Sequence, residues 1–163
     1  LTRQHGFRKG LGCKTQLCAT YHDLARSIEQ GSTVHGVILD FLKAFGKAPH
    51  NLLMQKIRRI DNINLNIVNR IQSFLAQRSQ RVAVRGTLSS GVPQGSVLGP
   101  TLILIYINDF PEVVTRGVSL HADDTLLYSE VNNDGDRLRF QANINALHKL
   151  SRDWKMPFNT DRC

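Results

Sequence analysis

The sequence has few acidic residues for its size. Aspartate and glutamate make up 13 of 163 residues, against 21 lysines and arginines, so the formal charge is +8 with neutral histidines. A chain with this excess of positive charge favours polyanionic partners such as nucleic acid. A solvated basic surface without a partner would give the same composition, so charge alone leaves both interpretations open.

Cysteine is also scarce, and long apolar runs are absent. Three cysteines cannot all pair in one chain, which excludes a fully paired disulfide scaffold. Cys13, Cys18 and His22 have a spacing that zinc ligands could share, but no fourth ligand follows at finger-like spacing, so we expect buried thiols. The longest apolar run, residues 101–107, is far shorter than the roughly 20 residues of a membrane-spanning helix.

The first residues carry no apolar stretch of the kind found in secretory signals. We therefore expect an intracellular protein of the nucleus or cytoplasm that is not secreted and does not use a membrane. Residue 1 is leucine rather than methionine, and we expect a piece of a longer protein.

The remaining composition, with 41% hydrophobic residues, is typical of one globular domain, and no internal repeat or linker divides it. Apolar spacing predicts the secondary structure. The predicted elements are a helix at 14–30, a strand at 34–41, helices opening at Pro49 and spanning 67–75, a strand at 80–85, a helix at 97–107, hairpin strands at 118–121 and 125–131, and a helix through 140–154. This order predicts an α+β fold, a small antiparallel sheet with helices packed on one face.

Acidic residues occupy unusual places in this layout. Asp40 lies at the end of an apolar strand, and Asp123 and Asp124 occupy a hairpin turn where Asn-Gly or Asp-Gly is usual. Two like charges about 4 Å apart repel by roughly 4 kcal/mol at an effective dielectric near 20, so a cluster of all three carboxylates needs a cation. Oxygen ligands favour Mg²⁺ or Mn²⁺. A solvated turn and a helix cap are the alternative on these residues alone.

Three blocks of sequence together resemble the palm of reverse transcriptases from non-LTR retrotransposons of the jockey and chicken-repeat kind. The first is Leu-Asp-Phe-Leu-Lys-Ala-Phe at 39–45, followed by Pro-His at 49–50. The second is Ser-Gly-Val-Pro-Gln-Gly-Ser-Val-Leu-Gly-Pro at 90–100, and the third is Ala-Asp-Asp at 122–124. Residues 4–8 and 154–163 also resemble that family.

The resemblance implies an RNA-directed DNA polymerase, a nucleotidyltransferase that adds deoxynucleotides to a primer 3′-hydroxyl. Its partners would be an RNA template, a DNA primer and dNTPs, and its cofactors two Mg²⁺ or Mn²⁺ ions; the oligomeric state stays open. The implied catalytic and metal-binding residues are Asp40, Asp123 and Asp124. The implied nucleotide-binding residues are Phe41, Phe45, Gln94, Gly95 and Arg162, and Arg8 and Lys9 would contact nucleic acid.

Two of these positions have a specific role in the family. Phe45 matches the aromatic residue that lies under the sugar and excludes a 2′-hydroxyl, and Gln94 with Gly95 matches the loop that supports the nascent base pair. The resemblance also implies a palm core at about 34–131, a remnant of the fingers at 1–33, and a closing helix with a terminal block at 132–163. The upstream fingers and the thumb would be absent, so we expect the isolated fragment to be inactive.

Several positions differ from the family pattern. Gly46 stands where a second aspartate is usual, and His121 stands where phenylalanine or tyrosine is usual. Arg162 replaces a lysine, and residues 86–91 are several residues shorter than the corresponding loop. These departures keep a second hypothesis open, a catalytically inactive nucleic-acid-binding remnant of such an element.

Overall fold

The computed structural model of the chain describes residues 3–76, 90–115 and 117–161. Its elements confirm the predicted α+β class, and the strand predicted at 80–85 lies outside the described residues. The helices are α1 Cys13–Glu29, α2 Ala44–Lys47, α3 His50–Arg58, α4 Leu65–Ala76, α5 Gly99–Tyr106 and α6 Asp134–Asp153, with a 3₁₀ helix at Phe110–Val113. The strands are β1 Val34–Leu39, β2 Val118–His121 and β3 Asp124–Glu130.

The strands form one antiparallel sheet in the order β1-β3-β2. On one side of β3, pairing runs from Val34 opposite Glu130 to Leu39 opposite Thr125. On its other side β2 and β3 form a tight hairpin that closes with His121 opposite Asp124. Only Ala122 and Asp123 connect the two hairpin strands, so the sequence predicted this hairpin nearly residue for residue.

The core lies on the face of the sheet that carries Leu39, Thr125 and Leu127, and Leu127 is completely buried. Side chains alternate between faces along a strand, so these residues point to the same side. Burying each leucine or isoleucine contributes about 1.5–3 kcal/mol to folding. No helix in the described ranges is long and apolar enough to cross a bilayer. The helices contribute further residues to the core, among them Leu53 and Ile57 of α3, Leu102 and Ile103 of α5, and Leu147 of α6.

Helix α1 departs from the expected one-sided layout. Tyr128 Oη donates a hydrogen bond to Asp23 at 2.7 Å, and Ser27 Oγ donates to Glu130 at 2.7 Å. Tyr128 and Glu130 alternate with the core-facing Leu127, so α1 lies against the second face of the sheet. Polar side chains form these contacts.

The apolar stripe that predicted α1 consists of Leu17, Tyr21, Leu24 and Ile28, and only Leu24 is half-buried. Leu17, Tyr21 and Ile28 are 66%, 76% and 64% exposed. Cys13 and Cys18 of the same helix are exposed too, so the prediction of buried thiols is wrong for both. The physical reason is that α1 contacts the sheet through its polar side, which turns its apolar side to solvent.

Candidate active site

The β1–β3 register brings the three predicted acids to one edge of the sheet. Asp40 directly follows β1, Asp123 lies in the hairpin turn, and Asp124 begins β3. Leu39 pairs with Thr125, so one position further along the antiparallel pair Asp40 lies across from Asp124. Residues that are more than 80 apart in sequence are thereby neighbours in the fold.

The carboxylates are close enough to influence each other electrostatically. Burial is the largest cause that raises the pKa of Asp123 above its usual range, and the charges of Asp124 and Asp40 raise it further. A backbone hydrogen bond and His121 act in the opposite direction. The ionised form of Asp123 is therefore disfavoured by its surroundings, as expected for a partly buried carboxyl group that also has like charges nearby.

The chemistry of this donor set fits a hard divalent cation, because Mg²⁺ and Mn²⁺ prefer carboxylate oxygens. In the structure of the described residues, no group of three or more acidic, histidine or cysteine side chains converges into a metal site. The side chains of Asp40, Asp123 and Asp124 would have to turn toward one another to share an ion. Their role as metal ligands stays a prediction.

A second set of contacts holds the backbone around Asp40 in place. Asn159 N–H donates to the carbonyl of Asp40 at 2.8 Å, and Leu42 N–H donates to the carbonyl of Pro157 at 2.9 Å. Phe41 and Phe158 form a bridge between these two segments. The backbone from Asp40 to Leu42 is thus fixed by a segment more than 100 residues later in the sequence.

The side chain of Phe41 belongs to the core, and the role of this residue in nucleotide binding stays a prediction. The ring is 2% exposed and stacks on Phe158 with centroids 4.9 Å apart. Phe110 meets it edge-on at 5.3 Å. An aromatic cluster of this kind leaves no face of the ring for a ligand.

Backbone hydrogen bonds join the first predicted block to the second. Val92 N–H donates to the carbonyl of Phe45 at 2.6 Å, and Gly91 N–H donates to the carbonyl of Ala48 at 3.1 Å. His50 Nε2 lies 2.7 Å from the carbonyl oxygen of Gly91 and donates to it. The segment that leads into Gln94 is therefore anchored directly beside Phe45.

The loop that carries Gln94 and Gly95 is exposed at its tip. Ser96 Oγ closes the loop, since it donates to the carbonyl of Pro93 at 2.7 Å and accepts from Gly99 N–H at 3.0 Å. Gly95 has a φ of +84°, and a Cβ placed there would have no neighbour within 4 Å among the described residues. The backbone at Gly95 is thus open to an approaching ligand.

Phe45 is partly buried and contacts another aromatic ring. Phe7, which is 59% exposed, meets it edge-on with ring centroids 6.5 Å apart. This contact brings the segment at residues 4–8 to the side of the first block. Of the basic residues predicted there, Arg8 donates to the carbonyl of Gln4 at 3.3 Å and Lys9 is exposed. Their contact with nucleic acid stays a prediction.

The other positions that the sequence identified are Arg162, the loop at 86–91, Gly46 and His121. Arg162 lies outside the described residues, as does most of the shortened loop at 86–91. Gly46 lies in α2, where an added Cβ would approach only the Cβ of Lys43 at 3.9 Å, so the fold has room for a side chain there. His121 Nε2 lies 3.2 Å from Cys13 Sγ, which links α1 to the end of β2.

Two residues that contact the end of the β2–β3 hairpin, Gln4 and Cys13, are not among the predicted site residues. Gln4 is 3% exposed and its amide contacts Ala122. Cys13 contacts His121 across the sheet edge. The residues around Gln4 give little indication that its amide is buried, because the partner of the amide, Ala122, is 118 residues away in the sequence.

Comparison with known proteins agrees with the resemblance in the sequence. Residues 2–163 match the family model described as "Reverse transcriptase (RNA-dependent DNA polymerase)". The chain is 31% identical to the RNA-directed DNA polymerase from mobile element jockey of Drosophila melanogaster, over 98% of the chain and 19% of that protein. The protein of the same name from Drosophila funebris is 28% identical over 98% of the chain and 19% of its own length.

A third relative matches a shorter part. The probable RNA-directed DNA polymerase from transposon BS of Drosophila melanogaster is 30% identical over 66% of the chain and 12% of that protein. The chain therefore spans about a fifth of the length of the jockey proteins. Because the family model covers the chain from residue 2 to residue 163, the chain belongs to the reverse transcriptase family.

Proposed function

We propose that this chain supplies the palm of a mobile-element RNA-directed DNA polymerase, which joins dNTPs to the 3′-hydroxyl of a DNA primer on an RNA template. One observation carries the proposal. The β1–β3 register sets Asp40 beside the Asp123–Asp124 pair in a chain of the reverse transcriptase family. Carboxylates gathered at one sheet edge are the arrangement that nucleotidyl transfer by two metal ions requires.

Asp40, Asp123 and Asp124 would hold Mg²⁺ or Mn²⁺. Bound ions of this kind activate a hydroxyl and neutralise charge on the phosphate. The chain contributes a rigid platform, because Leu39 and Thr125, which adjoin the acids, are 6% and 1% exposed and anchor them to the core. Carboxylates on well-packed strands keep their position better than carboxylates on free loops.

Phe45 and the loop at Gln94 support the nucleotide part of the proposal. The Val92 to Phe45 hydrogen bond keeps the loop and the ring side by side. A ring beside the sugar would exclude a 2′-hydroxyl sterically, and the exposed amide of Gln94 can both donate and accept hydrogen bonds. The charge of +8 would attract the phosphate backbone of template and primer, with Arg8 and Lys9 among the contacts.

The metal part can be tested on the chain itself by Mn²⁺ titration monitored by electron paramagnetic resonance. Asp123→Asn and Asp40→Asn are each expected to weaken Mn²⁺ binding about tenfold or more, since each removes one anionic ligand. Asp153→Asn, at the exposed last residue of α6, is the control and should bind as the wild type does. Wild-type affinity in both site variants would refute the assignment.

The polymerase part calls for a longer protein, and a chimaera provides one. Residues 2–163 would replace the matching segment of the jockey polymerase, and extension of a DNA primer on RNA would be measured. The chimaera should extend the primer, and Asp123→Asn should reduce extension by about 100-fold or more. A folded chimaera that binds RNA in a salt-dependent manner but makes no product would favour the inactive remnant, to which Gly46 and His121 point.

A further inference from the structure

We infer that Gln4 is a positioning residue for the acidic turn, because its buried side-chain amide clamps the backbone of Ala122 on both sides. The inference rests on the proposed function, in which Asp123 and Asp124 follow Ala122 and hold the metal. The described hydrogen bonds of the Gln4 side chain go to Ala122 and Gly6 and not to either carboxylate. Its effect on them passes through the shape of the turn.

The side-chain amide of Gln4 makes three hydrogen bonds within the described residues. Oε1 accepts from Ala122 N–H at 2.8 Å and from Gly6 N–H at 2.7 Å, and Nε2 donates to the carbonyl of Ala122 at 2.9 Å. All three hydrogen bonds are buried. Two N–H groups can be satisfied only by the oxygen of the amide, so the network itself fixes the orientation of the side chain.

The turn has a backbone conformation that needs such support. Ala122 has a φ of +56°, in the left-handed region that glycine and asparagine normally occupy in two-residue hairpins. A residue with a Cβ remains there only where surrounding contacts determine the conformation. A glutamine amide that grips both the N–H and the carbonyl of the same residue is a contact of that kind.

The clamp is in turn anchored along the edge of β2. Leu120 N–H donates to the carbonyl of Arg3 at 3.0 Å, and His5 N–H donates to the carbonyl of Leu120 at 2.9 Å. Gly6 packs so closely on the turn that a Cβ there would lie 2.2 Å from the nitrogen of Ala122. The segment from Arg3 to Gly6 therefore docks as a short parallel addition to the sheet, with Gln4 directed at the turn.

Loss of the clamp has a specific consequence. Ala122 would be free to relax toward negative φ, which rotates the peptide that leads into Asp123 and moves its carboxylate relative to Asp40. Metal affinity and the rate of the chemical step should fall, whereas the loop at Gln94, which is held by separate contacts, would keep its conformation.

Two variants of the 163-residue chain test the clamp. Gln4→Leu keeps the volume and removes all three hydrogen bonds, while Gln4→Asn keeps the amide but shortens its reach by one methylene. Both should accelerate hydrogen exchange at Ala122 N–H by about tenfold or more, because a buried hydrogen bond is lost. Both should also weaken Mn²⁺ binding several-fold. Gln141→Leu is the matched control. Gln141 is exposed, and within the described residues its side chain donates a hydrogen bond only to Asn145.

The outcomes separate the inference from the proposed function. An unchanged hydrogen-exchange rate at Ala122 N–H in either folded Gln4 variant would overturn the inference. An unchanged Mn²⁺ affinity in a variant whose Ala122 N–H exchanges faster would also overturn it. A lower melting temperature with wild-type Mn²⁺ affinity would mean a merely structural role. If Asp123→Asn leaves Mn²⁺ binding intact, the assignment of Asp123 as a metal ligand fails. The hydrogen-exchange rate at Ala122 N–H in the Gln4 variants still decides whether Gln4 holds the turn. Should Gln4→Leu fail to fold, Gln4→Asn carries the same test.

Discussion

Gly91 joins the first predicted block to the second, and its replacement by alanine would test that junction. Its φ is +101°, and a Cβ there would lie 2.7 Å from the carbonyl oxygens of both Phe45 and Gly46. Its own N–H donates to the carbonyl of Ala48 at 3.1 Å. Gly91→Ala therefore imposes a strained backbone and a steric overlap at the same place.

The size of the effect follows from these two causes. A residue other than glycine in a sparsely populated region of φ and ψ costs about 1–3 kcal/mol. Overpacking against backbone adds about 1–3 kcal/mol. A combined loss of about 4 kcal/mol is a large part of the roughly 5–15 kcal/mol by which most domains are stable. With a urea dependence of about 2 kcal/mol/M, the unfolding midpoint should fall by about 2 M.

Urea unfolding followed by circular dichroism measures this shift, and Gly10→Ala supplies the control. Gly10 has a similar φ of +75°, but a Cβ there would have no neighbour within 4 Å. Only the backbone cost of about 1–2 kcal/mol remains in that variant. If Gly91→Ala shifts the midpoint no more than Gly10→Ala does, the close contact with Phe45 and Gly46 is not a real constraint on the fold.

Two further predictions concern a helix cap and the acidic turn. Asn133 Oδ1 accepts from Asp136 N–H at 2.9 Å at the start of α6, so Asn133→Ala should lower the free energy of unfolding by about 1 kcal/mol in urea titrations; no measurable loss would contradict this capping role. Since burial and neighbouring charges raise the pKa of Asp123, the folded state holds more protons here and loses stability as pH rises above about 4. In metal-free buffer Asp123→Asn should therefore be more stable than the wild type at pH 7. The gain should be about 1 kcal/mol or less, because solvent screens the partly exposed group. Thermal unfolding near pH 3 should show no such gain. A constant difference across this pH range would contradict the direction of the shift.

The order of elements could be predicted from the sequence because each one has a clear hydrophobic period. The strand at 118–121 was predicted with its observed bounds, and the strand at 34–41 ended two residues later than β1 does. The helix that became α1 was also predicted, but its apolar residues Leu17 and Tyr21 face outward. Periodicity identifies a helix with two different sides, and it does not determine which side meets the sheet.

The site could be predicted only where neighbours in sequence share a role. Asp40, Asp123 and Asp124 could be predicted as site residues because acidic residues are unusual directly after apolar strands. Phe41 adjoins Asp40, yet contact with Phe110 and Phe158 places its ring in the core, and such contacts leave no local pattern in the chain. Gln4 was missed as a contributor to the turn for the same reason, since its partner Ala122 is 118 residues away.

The segments that hold Asp40 and Ala122 have a consequence for how the protein folds. Asn159 fixes the carbonyl of Asp40, and Gln4 fixes Ala122, so the acidic edge is assembled from pairs of segments separated by more than 100 residues. Contacts of such long sequence separation close large loops and form slowly. We therefore expect the helices and the hairpin to form before the carboxylates acquire their final geometry, so that the site is completed late in folding.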